Sequence, residues 1–181
     1  MPYTSSVIDA LWQERETTIP TNHDKQYKVV YSRPGNFFDI IISHDREPVG
    51  FITLKYEGEG TYSIVNDTQI NPHPSFINTP GHGIEVKEKF RKRGFGAALL
   101  SLGIGIVQRD WQVNKKGGIF KVVASDITKQ GLGCYKNFGF TIKEGMQVSA
   151  GYYTNPDTVP EISILQRKVF FTKRLKKRLQ R

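Results

Sequence analysis

The chain has 181 residues, of which 38% are hydrophobic, and it carries a formal net charge of +9. These values predict one soluble globular domain with a single sizeable core. The lone cysteine, Cys134, excludes an internal disulfide framework, and the longest apolar run, residues 97–107, is too short to cross a bilayer. Because the N-terminus carries no secretory signal pattern and a lone cysteine suits a reducing compartment, a cytoplasmic location is predicted.

The positive charge is concentrated at the C-terminal end of the chain. Eight lysines and arginines and no acidic residue lie between Arg167 and Arg181, which leaves the rest of the chain with a net charge of +1. We therefore predict a single domain over residues 1–171 and a basic tail over residues 172–181. The tail is interpreted first as a solvated helix end, and alternatively as a contact for a weak anionic partner, RNA or a membrane surface.

The hydrophobic pattern of the first half predicts a short helix followed by strands. Apolar residues at helical spacing place the helix over residues 7–16, and a loop is predicted over residues 17–25. A stretch with three prolines, residues 71–81, is predicted to lack regular structure. The strands are predicted at residues 27–31, 37–42, 48–56 and 62–65.

Strands and helices alternate in the second half. An apolar helix includes residues 97–107, and a shorter helix ends at Gly139, a residue type typical of helix C-termini. A connection over residues 147–160 leads to the last strand. The strands are predicted at residues 84–87, 119–124, from residue 140 onward, and at residues 161–171.

The segment from Ile84 to Leu100 predicts a strand, a basic glycine turn and the start of a helix. Gly94 and Gly96 remove side chains where the helix begins, which exposes backbone N–H groups at the positive end of the helix dipole. Three cations immediately precede the first glycine: Arg91, Lys92 and Arg93. This arrangement predicts a site for a pyrophosphate, whereas the alternative is an ordinary strand-to-helix turn with solvated cations.

A second motif lies about forty residues downstream, at residues 134–140. Tyr135 falls in the last turn of the shorter helix, Gly139 ends that helix, and Phe140 opens the next strand. The order, the spacing and the types of element match those of one known family. The pattern Arg91-x-x-Gly94-x-Gly96 resembles motif A of the GNAT superfamily of acyl-CoA-dependent N-acyltransferases, and the tyrosine motif resembles its motif B.

The resemblance implies the fold class and the activity. The expected fold is α/β, with a mixed, mostly antiparallel central sheet, a splayed parallel strand pair and helices on both faces. The expected activity is transfer of an acetyl group from acetyl-CoA to a primary amine, by direct attack through a tetrahedral intermediate. The expected acceptor is a protein lysine or N-terminus, or a small amine. The chain is therefore interpreted as an enzyme, and a homodimer is one possible assembly.

The resemblance also implies roles for individual residues. Tyr135 would act as general acid toward the leaving thiolate, with a packing role as its alternative. His82 is the first candidate for the general base and Glu85 the second, and solvated side chains are the alternative for both. The Val86 N–H would meet the developing oxyanion. The cofactor-binding residues are Ile84, Val86, Arg91, Lys92, Arg93, Gly94, Phe95, Gly96 and Ala97.

The sequence departs from the family pattern before the tyrosine. Many members carry an asparagine seven residues earlier, a position that Thr128 holds here, while Asp126 lies nine residues before Tyr135. Thr128 or Asp126 is predicted to cap the helix instead. No Cys/His cluster has zinc-ligand spacing, so no metal is expected. The alternative function is a non-catalytic GNAT-like or nucleic-acid-binding module that uses the basic tail.

Overall fold

The structure is a computed structural model that describes residues 3–19, 26–65 and 83–160. These residues form three α-helices and nine strands in one sheet. The helices are α1 (Tyr3–Glu14), α2 (Phe95–Val113) and α3 (Leu132–Phe138). The strands are β1 (Glu16–Ile19), β2 (Tyr27–Ser32), β3 (Phe37–His44), β4 (Glu47–Gly58), β5 (Thr61–Ile64), β6 (Ile84–Val86), β7 (Lys121–Ile127), β8 (Thr141–Lys143) and β9 (Ser149–Tyr153).

The sheet is mixed and mostly antiparallel. Its order is β1-β2-β3-β4-β5-β7-β9-β8, and β6 pairs with β4 beside β5. The parallel neighbours are β5 and β7. A mixed α/β sheet with one parallel pair and flanking helices confirms the predicted fold class. The described helices contact one face of the sheet, so helices on the second face are not seen in the part of the chain that the structure describes.

The core lies between α2 and the alternating apolar side chains of β3 and β4. Phe38, Ile40 and Ile42 are fully buried on the face that α2 covers. Two glycines of α2 allow its close contacts. A Cβ atom at Gly103 would lie 2.8 Å from Leu54 Cδ1, and one at Gly105 would lie 2.0 Å from Ile8 Cδ1. These helix glycines therefore allow close packing, against the sheet at one position and against α1 at the other.

The parallel pair opens into a gap. One edge of β4 is shared, since its residues 54–58 pair with β5 and its residues 50–52 pair with β6. Strand β7 pairs with β5 through residues 121–123. Beyond that point β7 continues beside β6 without pairing to it in the described structure. Strands β6 and β7 are therefore separated by a gap, as the predicted splay requires.

Three sequence-based element boundaries were wrong. The predicted loop 17–25 begins as β1, because pairing of Glu16–Ile19 with β2 fixes an extended backbone that the local pattern does not reveal. Helix α1 is shifted toward the N-terminus and ends at Glu14, where Arg15 takes a positive φ of 67°. The predicted connection 147–160 contains β9, held between β7 and β8. The proline-rich stretch, the final strand and the basic tail lie outside the described residues.

Candidate functional site

A cleft of about 1270 Å³ occupies the gap between β6 and β7. Its walls are β6, the turn and first residues of α2, the end of β7 with the turn that follows, and α3. The sequence motifs therefore meet at one place. Of the predicted site residues, the cleft wall includes Ile84, Glu85, Val86, Arg91, Lys92, Gly94, Phe95, Gly96, Ala97 and Tyr135.

Strand β6 presents one backbone edge to the cleft. The Gly83 carbonyl accepts from the Thr53 N–H at 2.7 Å, and the Lys87 N–H donates to the Val49 carbonyl at 2.9 Å. These bonds direct the peptide groups of alternate residues toward β4. Because neighbouring residues in a strand direct their N–H and C=O groups to opposite edges, those of Ile84 and Val86 face the cleft. This edge can accept an added extended chain.

The turn before α2 exposes three amide groups. Gly94 takes the left-handed conformation, with φ 90°, and its carbonyl accepts the first helical bond from the Ala98 N–H at 2.9 Å. The N–H groups of Phe95, Gly96 and Ala97 precede that bond, so they have no acceptor within the helix. All three residues line the cleft. The helix dipole and these donors make this end of the cleft suitable for an anion.

The three cations of the motif take different positions. Arg91 lines the cleft, and its Nε donates to the Val86 carbonyl at 2.9 Å, so it holds the cleft edge of β6. Lys92 also lines the cleft. Arg93 is absent from the described cleft wall. Its guanidinium donates to the Tyr27 hydroxyl at 3.3 Å and lies 5.7 Å from the Phe95 ring centroid, so it packs beneath the turn.

Helix α3 contributes a buried phenol to the opposite wall. Tyr135 is only 6% exposed, and its ring meets Phe140 edge-on at 5.0 Å between centroids. Burial raises the pKa of Tyr135 above its ordinary value. The phenol therefore stays protonated at neutral pH and can donate a hydrogen bond into the cleft, although burial makes it a weaker acid than a free tyrosine.

The candidate bases are placed differently by the structure. Glu85 lies on β6 beside Val86 and lines the cleft, with its Oε2 atom buried. His82 lies outside the described residues. Both therefore remain predictions, although Glu85 shares the cleft with Tyr135.

The turn between β7 and α3 contributes residues to the cleft and leads into the start of α3. Gly131 is the N-cap residue of α3 and makes no side-chain capping bond, so the predicted cap by Thr128 or Asp126 was wrong. The Thr128 hydroxyl instead accepts from the Gly131 N–H at 3.2 Å, in the turn that precedes the helix. Ser125, Asp126 and Thr128 also line the cleft, and sequence reasoning gave them no binding role. Their position at the carboxyl end of a parallel strand was the available signal, since ligands of α/β sheets bind there.

Cys134 also lines the cleft, and sequence reasoning missed it as a site residue. A Cβ atom at Gly96 would lie 3.5 Å from its sulfur, so the thiol sits beside the start of α2. Burial raises the pKa of this thiol. Its place one residue before Tyr135, in the second motif, was the sequence signal that could have revealed it.

Comparison with known proteins agrees with this architecture. The sequence profile described as the Acetyltransferase (GNAT) family matches residues 5–140, which is most of the chain. The chain therefore belongs to the GNAT family, and membership supports a general role as an acyl-CoA N-acetyltransferase. No curated protein matches the chain. Within the described ranges, no helix is long and apolar enough to span a bilayer, and no three His, Cys, Asp or Glu side chains are grouped to hold a metal ion.

Proposed function

We propose that this protein transfers the acetyl group of acetyl-CoA to a primary amine by direct attack. The single observation that carries the proposal is the shared cleft. It joins the exposed amides of α2, the open edge of β6 and the buried phenol of Tyr135. Each of these groups meets one requirement of acyl transfer from a thioester.

The cofactor is held mainly by backbone groups. The amides of Phe95, Gly96 and Ala97 bind the pyrophosphate, with Lys92 adding positive charge. The peptide-like pantetheine arm pairs with the cleft edge of β6, as an added strand would. Arg91 contributes by holding the Val86 carbonyl and thereby the shape of that edge.

The chemical step uses three groups on this frame. The Val86 N–H faces the cleft and stabilises the oxyanion of the tetrahedral intermediate. Tyr135 donates a hydrogen bond and then a proton to the thiolate that departs as the carbon–sulfur bond breaks, and water returns a proton to the phenol. Glu85, or His82, removes a proton from the bound ammonium so that the neutral amine can attack, because an alkylamine with a pKa of about 10.4 is mostly charged at neutral pH.

The acceptor is proposed to be a protein amine, with small amines second. A thiol-release assay with acetyl-CoA and a panel of peptides, polyamines and charged tRNA tests this order, while calorimetry tests cofactor binding independently. We expect saturable binding and release of CoA thiol with at least one class of amine. A folded protein that shows no binding of CoA thioesters, but binds RNA with steep salt dependence, would instead be the non-catalytic module.

Cys134 provides a chemical report on the cofactor site. Because its thiol lies beside Gly96, a bound pyrophosphate is expected to slow its alkylation by iodoacetamide at least about tenfold at saturation, since protection follows the free fraction of the protein. The raised pKa keeps the thiol mostly protonated at neutral pH, so the unprotected rate should climb about tenfold per pH unit while the thiolate is the minor form. Mass spectrometry of the alkylated peptide measures both rates.

Free adenosine supplies the matched control for this protection, because it lacks the pyrophosphate. Equal protection by adenosine and CoA would contradict pyrophosphate binding at the start of α2. Alkylation at an unchanged rate under saturating CoA would contradict the placement of the cofactor in this cleft.

A further inference from the structure

Strands β5 and β7 meet at one end of the cleft. Their parallel register ends at Ser63 and Val123. The next residues of the two strands, Ile64 and Ala124, both line the cleft. Both are buried, with exposed fractions of 7% and 3%. The cleft therefore starts at this pair, which we call the closed end.

The start of β6 seals the closed end on the side of β4. The Thr53 N–H donates to the Gly83 carbonyl at 2.7 Å, and the Thr53 carbonyl accepts from the Val65 N–H at 3.1 Å. Strand β6 thus begins where β5 ends, on the shared edge of β4. A Cβ atom at Gly83 would lie 2.2 Å from the Val65 carbonyl oxygen and 2.8 Å from Ile64 Cγ2. This close contact leaves no room for a ligand between Gly83 and Ile64.

The amide that would bind the oxyanion lies well away from the closed end. Val86 pairs with Gly50 and Ile64 pairs with Leu54, so they are four positions apart along the edge of β4. At about 3.4 Å per residue, their separation along the strand is about 14 Å. Contact with an apolar side chain takes up about 4 Å of this length, which leaves about 10 Å. At about 1.5 Å per bond, this space holds about six carbon–carbon bonds beyond a thioester carbonyl, whereas an acetyl group uses one.

The wall between Val86 and the closed end is apolar on the side that faces α2. Ile84 and Val86 of β6 pack against the hydrophobic core, and both Ile64 and Ala124 belong to that core. Glu85 points to the opposite face of the sheet, because successive strand residues alternate between faces. Since a polar group without a partner is costly in apolar surroundings, this part of the cleft suits a hydrocarbon chain.

We propose that the closed end of the cleft is an acyl pocket, in which Ile64 and Ala124 set the greatest length of acyl chain that is accepted. Straight chains up to about hexanoyl fit between the Val86 amide and this pair. The inference rests on the proposed function, because it assigns an acyl preference to the same cleft. It extends that function from acetyl-CoA to the CoA thioesters of longer straight-chain acids.

Calorimetry tests the pocket without the acceptor amine. CoA and its acetyl, butyryl, hexanoyl and decanoyl thioesters are titrated into the full-length chain. We expect affinity to rise at least about threefold at each step from acetyl to butyryl to hexanoyl, because each added methylene group is removed from water. Affinity should not rise further from hexanoyl to decanoyl, because Ile64 and Ala124 close the pocket.

Two substitutions should move this limit in opposite directions. Ala124→Leu fills the closed end, so affinity should stop rising at butyryl. Ile64→Ala deepens it, so affinity should rise at least about threefold from hexanoyl to decanoyl. Both variants should bind CoA itself within about threefold of the unaltered chain, because CoA carries no acyl group.

Ile42→Ala supplies the matched control for the truncation. Ile42 is fully buried on β3 and is not among the described residues of the cleft wall. This variant should keep the limit at hexanoyl, even if it is less stable. Melting temperatures without ligand report whether each variant is folded, and comparing thioesters on one protein cancels any difference in the folded fraction.

The outcomes separate the two proposals. If the unaltered chain binds no CoA thioester, the proposed function fails. If it binds acetyl-CoA but affinity does not rise toward hexanoyl, this inference alone is overturned. A limit that stays at hexanoyl in Ala124→Leu or in Ile64→Ala, or one that Ile42→Ala moves equally, would also overturn it.

Discussion

Replacement of Tyr135 by phenylalanine is expected to lower the single-turnover rate of acetyl transfer about 100-fold while acetyl-CoA affinity stays within about threefold. The substitution removes one hydroxyl and keeps the ring, whose edge-on contact with Phe140 helps to hold α3. The loss should therefore appear in the chemical step and not in the cofactor dissociation constant. Rapid-mix detection of the released thiol, together with calorimetry, measures the two quantities.

The pH profile of the unaltered protein adds a second check on Tyr135. Burial raises the pKa of this phenol, so its protonated form persists through neutral and mildly alkaline pH. We expect no alkaline fall in the rate from this group below about pH 10, the ordinary pKa of a tyrosine. Such a fall, absent from the Tyr135→Phe variant, would show that the phenol ionises more easily than its burial implies.

Tyr56 supplies the matched control for the loss of a phenol hydroxyl. Tyr56 lies on β4, contacts Tyr62 and Lys116, and is not among the described residues of the cleft wall. Tyr56→Phe should leave the single-turnover rate unchanged. If Tyr135→Phe retained more than a third of the rate, Tyr135 would be a packing residue and the leaving thiolate would take its proton from elsewhere.

The largest expected effect on stability comes from Asp110→Ala. Asp110 is fully buried in α2 and accepts from the Tyr62 hydroxyl at 2.7 Å, while the Arg33 guanidinium lies 2.9 Å from its other carboxylate oxygen. Removing the carboxylate leaves a buried phenol without its acceptor and a half-buried guanidinium without its counter-charge. Breaking a buried pair from one side costs about 3 to 5 kcal/mol.

Thermal and urea unfolding measure this effect. A loss of about 3 kcal/mol lowers the melting temperature by about 6 to 12 °C in a chain of this size. Glu16→Ala is the matched control, because Glu16 pairs with Lys28 where both side chains are more than half exposed, and such a pair contributes less than about 1 kcal/mol. An equal loss of stability in the two variants would mean that the Asp110 cluster is no more important than a surface ion pair.

The turn that begins α2 could be predicted from sequence because its chemistry is local. Gly94 occupies a left-handed conformation that glycine adopts without strain, and the helix that follows has a continuous apolar pattern. The same is true of Gly139, which ends α3 with φ 109°. The motifs around these two glycines, Arg91-x-x-Gly94-x-Gly96 and residues 134–140, indicated the family by their order and spacing.

The placement of side chains around that turn could not be predicted in the same way. Arg91, Lys92 and Arg93 are adjacent cations in sequence, and no local rule distinguishes them. The structure separates them because Tyr27, on a distant strand, forms with Phe90 and Phe95 an aromatic surface against which Arg93 packs. Arg91 is fixed instead by its hydrogen bond to the Val86 carbonyl on the cleft edge of β6.

The sequence by itself determined the local features of the two motifs: the glycine turn where α2 begins, the glycine at which α3 ends, and the tyrosine of the second motif. Those features depend on residues within a few positions of one another. Only the tertiary structure decided that β5 and β6 share one edge of β4, and that β7 pairs with β5 while a gap separates it from β6. It also decided that Asp110 contacts Tyr62 and Arg33. These contacts join residues far apart in the chain, so they exist only once the sheet has brought the partners together and excluded water from between them.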